Sequence, residues 1–456
     1  MTVFTQAANA FCGTGEDHKP QPGFGDLLMA CSKAQDLLKG KPLRTSLRVG
    51  VMAGVLARGL QLSPREINAV TMAALVCDLG LVKVAADVFH HLPSAKASEK
   101  DVFRAHTLWG ARVVSSPYEP TQTEYLNHFL HAHPQASVQI AGRLSLGADV
   151  LSIIEAHHEL CDGTGYPFGL TRQSIPIGAR ILTFADTVEG VMGEVSGLTT
   201  RQHALESFLE FKASDKFDAD VIGVFKTMLK EQPDFLKQLA SLEVETLIAE
   251  LLPQRQSPLT GKQLLDICTV MGELPDAMLP LYYKGSSART ARFAVEIAAQ
   301  LGIHPSQCGE LLLAGLLHDI GQLSVPLSVL SKPGQLSDAD WAVVFDHPRH
   351  TEEVLKGVGG FENVALWASE HHERMNGRGY PAQKKGFEIS VGGRILALAD
   401  AFVALTASRP YRTHAYEPMD ALPVLSQGRA THFDAQLLGI LRKVVLERDV
   451  PALRRV

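Results

Sequence analysis

The stretch that decides the fold reads His371-His372-Glu373-Arg374-Met375-Asn376-Gly377-Arg378-Gly379-Tyr380-Pro381. A second stretch lies 214 residues earlier, His157-His158-Glu159-Leu160-Cys161-Asp162-Gly163-Thr164-Gly165-Tyr166-Pro167, and keeps the paired histidines, the glutamate and the Gly-x-Gly-Tyr-Pro ending. Glycine and proline at this density cannot continue a helix, so both stretches predict loops. Their fixed spacing indicates that the chain contains an internal repeat.

The repeat extends in both directions from these loops. The offset stays at 214 for three further motifs, becomes 241 further upstream and is 216 near the end of each copy. The matched pairs are His133-Pro134 with His347-Pro348, Arg180-Ile181-Leu182 with Arg394-Ile395-Leu396, Ala185-Asp186 with Ala399-Asp400, Arg48 with Arg289, Asp78-Leu79-Gly80 with Asp319-Ile320-Gly321, and Phe217-Asp218 with Phe433-Asp434. The sequence therefore predicts a duplicated domain, with a 27-residue insertion in the first copy near 91–131.

One pairing within the insertion is ambiguous. His106 lies 241 residues before His347 and is an alternative to His133 as its equivalent. We favour His133, because it keeps the following proline and the 24-residue step to the His-His pair.

Apolar residues recur at helical spacing throughout, and no alternating pattern is long enough to predict a sheet. We expect helices over Leu43–Leu60, Ile67–Leu79, Ala288–Leu301, Glu310–Ile320 and Ala339–Phe345, the last after a Ser337 cap. The predicted fold class is all-α, with two tandem domains. The expected order is a loose leader over 1–25, a first domain over 26–235, a linker over 236–261 and a second domain over 262–456.

Composition limits the classes of partner. The net charge is −6 and no cluster of lysine and arginine is present, so a nucleic acid polymer is not expected. Six scattered cysteines favour a reducing compartment over a disulfide framework. Neither a signal peptide nor an uncharged apolar run of membrane-spanning length is visible. We therefore expect a cytoplasmic protein that does not bind membranes.

The second copy places ionisable residues where predicted helices end. A single histidine or aspartate at such a place is more often a hydrogen-bonded core residue or a helix cap than a ligand. Six together, echoed in the first copy, favour a metal site instead. Imidazole and carboxylate ligands suit Fe, Mn, Zn or Ni better than Mg or Ca. The predicted ligands are His318, Asp319, His347, His371, His372 and Asp400.

These motifs resemble the HD superfamily, and the Gly-Tyr-Pro block resembles its HD-GYP branch. The resemblance implies an all-α fold, a divalent metal centre of Fe or Mn, and hydrolysis of cyclic di-GMP to pGpG or GMP. It implies that Asp319 bridges two metals, with His318 and Asp400 on one and three histidines on the other. Asp319 and His318 would be the catalytic residues, and Arg409, Arg412 and Gln322 would contact the substrate.

The second copy departs from the family pattern at several positions. Ser286 stands where the family has an early histidine, and Tyr282 where it has a glutamate for a third metal. Gln322 replaces the lysine of His-Asp-x-Gly-Lys, and Val403 replaces a second aspartate after the metal aspartate. Asn376 replaces the aspartate before Gly-x-Gly-Tyr-Pro. We therefore expect a centre that is dinuclear at most.

The first copy has diverged further. Cys77 stands in place of His318, Thr45 in place of the early histidine and Leu81 in place of the lysine. The ligands that remain are Asp78, His133, His157, His158 and Asp186. They predict a second site for a single metal, in a copy with a structural or regulatory role.

Three functions are compatible with these features. The favoured one is a metal-dependent phosphodiesterase acting on a cyclic dinucleotide in signalling. The first alternative is a degenerate protein that serves as a nucleotide- or metal-binding regulatory scaffold. The second is an HD-type hydrolase acting on a nucleotide mono- or triphosphate. A signalling protein partner and a homodimer remain open in each case.

Overall fold

The structure is a computed structural model of the 456-residue chain. It describes residues 3–12, 21–91, 120–193, 198–211, 215–252, 259–409, 412, 414–427 and 431–453. His106 and most of the predicted insertion lie outside these ranges.

The described residues form helices joined by short connections. In chain order the helices are α1 Val3–Cys12, α2 Phe24–Leu38, α3 Thr45–Gly59, α4 Pro64–Val76, α5 Leu81–His91, α6 Pro120–Ala141, α7 Ala148–Glu155, α8 Ile177–Gly193, α9 Leu198–Phe211, α10 Ala219–Glu231, α11 Phe235–Leu239, α12 Val244–Leu251, α13 Gly261–Met278, α14 Pro280–Tyr283, α15 Ser286–Leu301, α16 Pro305–Leu317, α17 Leu327–Leu330, α18 Asp338–Phe345, α19 His347–Leu355, α20 Glu362–Ser369, α21 Val391–Leu405, α22 Pro418–Gln427 and α23 Ala435–Leu453. Within the described ranges, β-pairing is limited to three isolated bridges. The all-α prediction is confirmed.

Helix boundaries follow from local chemistry. The side chain of Ser337 accepts a hydrogen bond from the backbone N–H of Asp340 and begins α18, as its sequence predicts. Helix α15 ends at Gly302, again as predicted. Helix α16 is buried along Cys308–Leu317, and all of these residues except Glu310 are uncharged, which is typical of a helix at the centre of its unit.

The chain divides into two compact units. The N-terminal unit is Leu28–Arg255, and the C-terminal unit combines Gln256–Val456 with Met1–Leu27. In the N-terminal unit α3 packs against α4 and α8, and in the C-terminal unit α15 packs against α16 and α21. The same helix contacts therefore occur within each copy, between helices at corresponding positions of the repeat.

The expected loose leader is wrong for Val3–Cys12. These residues form α1, which packs against α13 and α16 of the C-terminal unit. Ala7, Ala8 and Phe11 are buried there, and the Phe11 ring meets the Phe361 ring edge to face at 6.1 Å. Apolar residues on one face of a short helix bury more surface than a solvated leader could, which favours this packing.

The expected linker is also wrong over most of its length. Residues within 236–252 form most of α11 and all of α12, which belong to the N-terminal unit. Ile248 is fully buried and Leu251 nearly so, and Glu245 pairs with Arg44 at 3.1 Å. The polar residues of this segment suggested a linker, although α12 packs an apolar face against α3.

Among the described residues, one stretch is long and apolar enough to cross a membrane by length and composition alone, Pro64–Asp87. Protein surrounds 83% of its most apolar window. The stretch also contains Asp78, a buried member of the N-terminal ligand group described below. It is therefore explained as a core segment.

Candidate metal centre

Helix ends position five of the six predicted ligands of the C-terminal unit. His318 caps the C-terminus of α16, and Asp319 follows it. His347 is the first residue of α19, and His371 and His372 follow the end of α20. Asp400 lies within α21. The packing of α16, α19, α20 and α21 brings all six side chains together.

The six residues form two ligand groups that share Asp319. One contains Asp319, His347, His371 and His372, and the other contains His318, Asp319 and Asp400. Within each group the ligand atoms lie within 4.8 Å of one another. Asp319 Oδ1 is 3.4 Å from His347 Nε2 and 3.5 Å from His371 Nε2. His318 Nε2 is 3.2 Å from Asp319 Oδ2 and 3.7 Å from Asp400 Oδ1.

Backbone carbonyls fix which imidazole nitrogen faces the centre. Nδ1 of His318, His347 and His371 lies 2.8, 2.7 and 2.5 Å from the carbonyl oxygen three residues before it. A carbonyl can only accept, so each Nδ1 carries a proton, and in the neutral form of each ring the Nε2 lone pair points inward. This is the usual arrangement of histidines that bind metals.

Two inward lone pairs meet with no hydrogen between them. His347 Nε2 and His371 Nε2 are 3.3 Å apart, although Nδ1 already holds the proton of each ring. In addition, His318 Nε2 and Asp319 Oδ1 are buried without a hydrogen-bond partner among the described residues. A cation among buried acceptors that face one another removes the cost of leaving them unpaired. The residues therefore fit a divalent metal, with Asp319 in the shared position.

The charges of the cluster perturb its own members. Burial alone would lower the pKa of His318, but Asp319 and Asp400 outweigh burial and raise it well above the usual value. For His372, burial and the neighbouring His371 and His347 hold the pKa well below the usual value. A neutral His372 is the form that can bind a metal.

The glutamate of His-His-Glu organises the Gly-Tyr-Pro loop. Glu373 is 1% exposed, and its two carboxylate oxygens accept from the N–H groups of Ala382 and Lys384 at 2.6 and 2.9 Å. A Cβ at Gly379 would lie 2.4 Å from the backbone nitrogen of Arg374, so only glycine fits. The folded loop places the Tyr380 ring 4.6 Å from the His372 ring. The motif therefore holds a predicted ligand in place.

The glycine of His-Asp-x-Gly allows two backbone segments to pack closely against each other. A Cβ at Gly321 would lie 2.0 Å from the carbonyl oxygen of His347, and a Cβ at Gly80 would lie 2.4 Å from that of His133. Each glycine therefore lets the helix that carries the histidine approach the Asp-containing turn. This correspondence places His133 in the position that His347 occupies in the second copy.

The N-terminal unit gathers four of its five predicted ligands, Asp78, His133, His157 and His158. His133 Nε2 and His157 Nε2 are 3.3 Å apart, and Asp78 Oδ1 is 3.4 and 3.3 Å from them. Asp186 is not a member of this group of described residues. The group fits one metal by the same lone-pair argument.

A lysine occupies the other side of Asp78. Lys39 Nζ lies 2.7 Å from Asp78 Oδ2, and both side chains are 2% exposed. Burial alone would lower the pKa of Lys39, but Asp78 and then Asp186 outweigh burial and raise it. Cys77 stands in place of His318, and the ammonium group supplies positive charge to the second oxygen of Asp78. No sequence motif marked Lys39, which lies in the turn directly after α2.

The predicted substrate contacts separate into different environments. Arg412 donates from Nη1 to the carbonyl oxygens of Ala404 and Leu405 at 3.0 and 2.8 Å, which caps α21. Arg409 is 6% exposed and its guanidinium carbon lies 4.1 Å from the centre of the Tyr283 ring. Gln322 is partly exposed, in the turn after Asp319. Arg412 therefore has a structural role that its sequence pattern did not indicate.

A helical unit with a His-Asp cluster at its centre is the architecture of an HD domain. The HD domain family model matches residues 120–221 and 273–437, more than half of the chain. The chain belongs to the HD domain family, with a matching segment in each copy.

Named relatives agree with this membership. The chain is 28% identical over 444 residues to "3'3'-cGAMP-specific phosphodiesterase 3" of Vibrio cholerae, covering 92% of this chain and 94% of that protein. It is 39% identical over 162 residues to "Cyclic di-GMP phosphodiesterase response regulator RpfG" of Xanthomonas campestris, covering 34% and 43%. A crystal structure titled as a cyclic GMP-AMP specific phosphodiesterase of V. cholerae, V-cGAP3, superposes with a TM-score of 0.65 at 25% identity, covering 94% of this chain and 98% of that one. The resemblance to HD-GYP-type phosphodiesterases is confirmed.

Proposed function

We propose that this chain is a metal-dependent phosphodiesterase that hydrolyses a cyclic dinucleotide at its C-terminal unit. The observation that carries the proposal is the pair of ligand groups that share Asp319. Two divalent metals there would neutralise charge on a phosphodiester and activate water, which is the chemistry such hydrolysis needs. Fe and Mn suit the mixed imidazole and carboxylate ligands.

The residues of the chain have distinct tasks in this proposal. Asp319 would hold both metals, and His318 with Asp400 would complete one site. His347, His371 and His372 would complete the other, with the Nε2 lone pairs of His347 and His371 already oriented by backbone carbonyls. Such preorganisation removes reorganisation from the reaction itself.

The substrate is proposed from the relatives. The relative that matches along 92% of the chain is named for 3'3'-cGAMP, whereas others are named for cyclic di-GMP. The sequence pattern alone favoured cyclic di-GMP. We propose 3'3'-cGAMP as the first substrate to test and cyclic di-GMP, giving pGpG or GMP, as the second. A cytoplasmic location, where a signalling partner could act on the chain, belongs to the same proposal.

Turnover of both cyclic dinucleotides by the full chain, loaded with Fe(II) or Mn(II) without oxygen, tests the proposal. Wild type should release linear products. His371→Ala and Asp319→Ala should abolish release, whereas the matched variants His157→Ala and Asp78→Ala of the N-terminal unit should retain it. Tight binding of a cyclic dinucleotide without turnover by wild type would favour the regulatory scaffold instead.

A further inference from the structure

Two arginines of the C-terminal unit form no direct ion pair with a carboxylate of the described residues. Nε and Nη1 of Arg409 and Nε of Arg289 are buried with no hydrogen-bond partner there. Arg409 is only 6% exposed. Because an arginine cannot lose its proton, a buried guanidinium that keeps free donors is costly unless an anion reaches it.

The two guanidinium groups lie in one electrostatic neighbourhood. Burial, and then the charge of Arg409, lower the pKa of Arg289, with Asp276 opposing them. Asp276 already accepts hydrogen bonds from the backbone and side chain of Ser287. The same carboxylate interacts electrostatically with Asp319 and His318. Helix α15, which carries Arg289, packs against α21, which carries Asp400 and Val403. Arg409 follows α21, and its guanidinium carbon lies 4.1 Å from the ring of Tyr283, just before α15. Both arginines therefore lie beside a helix that carries a predicted metal ligand.

The N-terminal unit shows how such an arginine is normally neutralised. Arg48, the equivalent of Arg289, donates from Nε and Nη2 to Glu189 Oε1 at 2.9 and 2.5 Å. Glu189 lies 214 residues before Val403 and three residues after Asp186, so Val403 is its equivalent. Val403 is fully buried and carries no charge. The second copy has lost the carboxylate that holds this arginine in the first.

We propose that Arg289 and Arg409 form an anion-binding pocket beside the C-terminal metal cluster, opened by valine at position 403. Its ligand is a phosphate group, which two guanidinium groups bind through paired N–H donors. The Arg409 contact follows from the family pattern, whereas Arg289 and Val403 do not. That the phosphate belongs to a cyclic dinucleotide rests on the proposed function.

Pyrophosphate binding to the full chain, measured by titration calorimetry, tests the pocket. Val403→Glu should restore the Arg289 ion pair and weaken binding by at least about 10-fold, which is the effect of removing a charged hydrogen bond. Val403→Ile, a matched uncharged variant, should leave it unchanged. Arg289→Gln should weaken binding as Val403→Glu does, and it serves as the decisive variant if the Val403→Glu protein fails to fold. Metal content, measured in parallel, should be equal in all four proteins.

Equal pyrophosphate affinity in wild type, Val403→Glu and Arg289→Gln would overturn the inference. The same titrations with 3'3'-cGAMP and cyclic di-GMP separate it from the proposed function. Pyrophosphate binding that depends on position 403, in a wild type that binds neither cyclic dinucleotide, would keep the pocket and reject the proposed substrates. If Val403→Glu and Arg289→Gln both left cyclic dinucleotide binding unchanged, the proposed substrates would be kept and the pocket would be rejected.

Discussion

At the residue scale, Lys39 separates the two copies most sharply. Its ammonium group balances the negative charge of Asp78. In the C-terminal unit the equivalent Asp319 faces the predicted ligand His318 instead. Lys39→Met would leave a buried carboxylate without its cation, and such losses cost about 3–5 kcal/mol. We expect a lower unfolding temperature, partly restored by added Mn(II), because a metal can then reach Asp78 Oδ2.

Lys33→Met is the matched control, since Lys33 lies in α2, the helix that ends just before Lys39. Its bridge to Glu245, at 3.1 Å, leaves the glutamate side chain 38% exposed. Such a partly solvated pair contributes about 1 kcal/mol or less. Equal destabilisation by both substitutions, or no response of Lys39→Met to metal, would contradict the role given to Lys39.

Asp36 provides a pH-dependent prediction at the same scale. Burial raises its pKa to about 6, and Lys39, Ser46 and Arg48 oppose the rise. A raised carboxyl pKa means that the folded state holds its proton more tightly than the unfolded state. Stability from this group is therefore present below about pH 4 and lost as the pH rises through about 6.

Asp36→Asn should remove that loss. Oδ1 accepts both bonds from Ser46, while Oδ2 has no partner among the described residues, so an amide keeps the necessary acceptor. Its stability advantage over wild type should rise between about pH 4 and 6 and reach on the order of 1–3 kcal/mol at about pH 7. Urea unfolding at about pH 4.5, 5.5 and 7, values that span the titration, measures it. A difference that stays constant with pH would show that Asp36 is already ionised at low pH.

At the element scale, the Gly-Tyr-Pro loop depends on one buried carboxylate. Glu373→Ala removes the acceptor of two backbone N–H groups, and each unsatisfied buried group costs about 1–3 kcal/mol. Because Glu373 follows His371 and His372 directly, we expect weaker metal binding as well as lower stability. Metal content after dialysis measures the first effect, and thermal unfolding measures the second.

Glu388→Ala is the control within the same loop. Glu388 accepts from the Lys385 N–H at 2.7 Å but lies at the surface. It should leave metal content unchanged. If Glu388→Ala lost as much metal as Glu373→Ala, general loosening of the loop would explain both.

Elements marked by a repeated or capped motif could be predicted from the sequence. The Ser337 cap, the Gly302 stop and the Gly-rich loops are local signals, because backbone geometry at those points permits few residues. Lys39 and Glu189 gave no such signal. Each acts through a partner far away in sequence, Asp78 and Arg48, and only packing shows which charges meet. Convergence of the six C-terminal ligands was predictable because each lies at a helix end or within the repeated motif.

At the scale of the whole molecule, the sequence misled at the two segments that flank the first copy. Polar or Gly/Pro-rich flanks suggested a loose leader over 1–25 and a linker over 236–261, yet α1 and α12 each bury an apolar face. Short helices carry few periodic positions, so their patterns are weak, and the partner surface decides whether they pack. The C-terminal unit is consequently built from two separate parts of the chain, since Met1–Leu27 belongs with Gln256–Val456.

This assignment of α1 predicts which unit responds to a change near the N-terminus. Phe11 is 9% exposed. A Cβ placed on Gly309 would lie 2.7 Å from the Cβ of Phe11, so no larger residue fits at position 309. Phe11→Ala removes a buried ring, at a cost of about 3–5 kcal/mol. Hydrogen exchange of the full chain should show faster exchange in α16 and α13, with α3 and α4 unchanged, although α3 is much nearer in sequence.

Gln6→Ala, on the exposed side of α1, is the control and should change exchange in neither pair of helices. Faster exchange confined to α3 and α4 would mean that the N-terminal helix stabilises the copy that follows it in sequence, and the division of the chain into these two units would then be wrong.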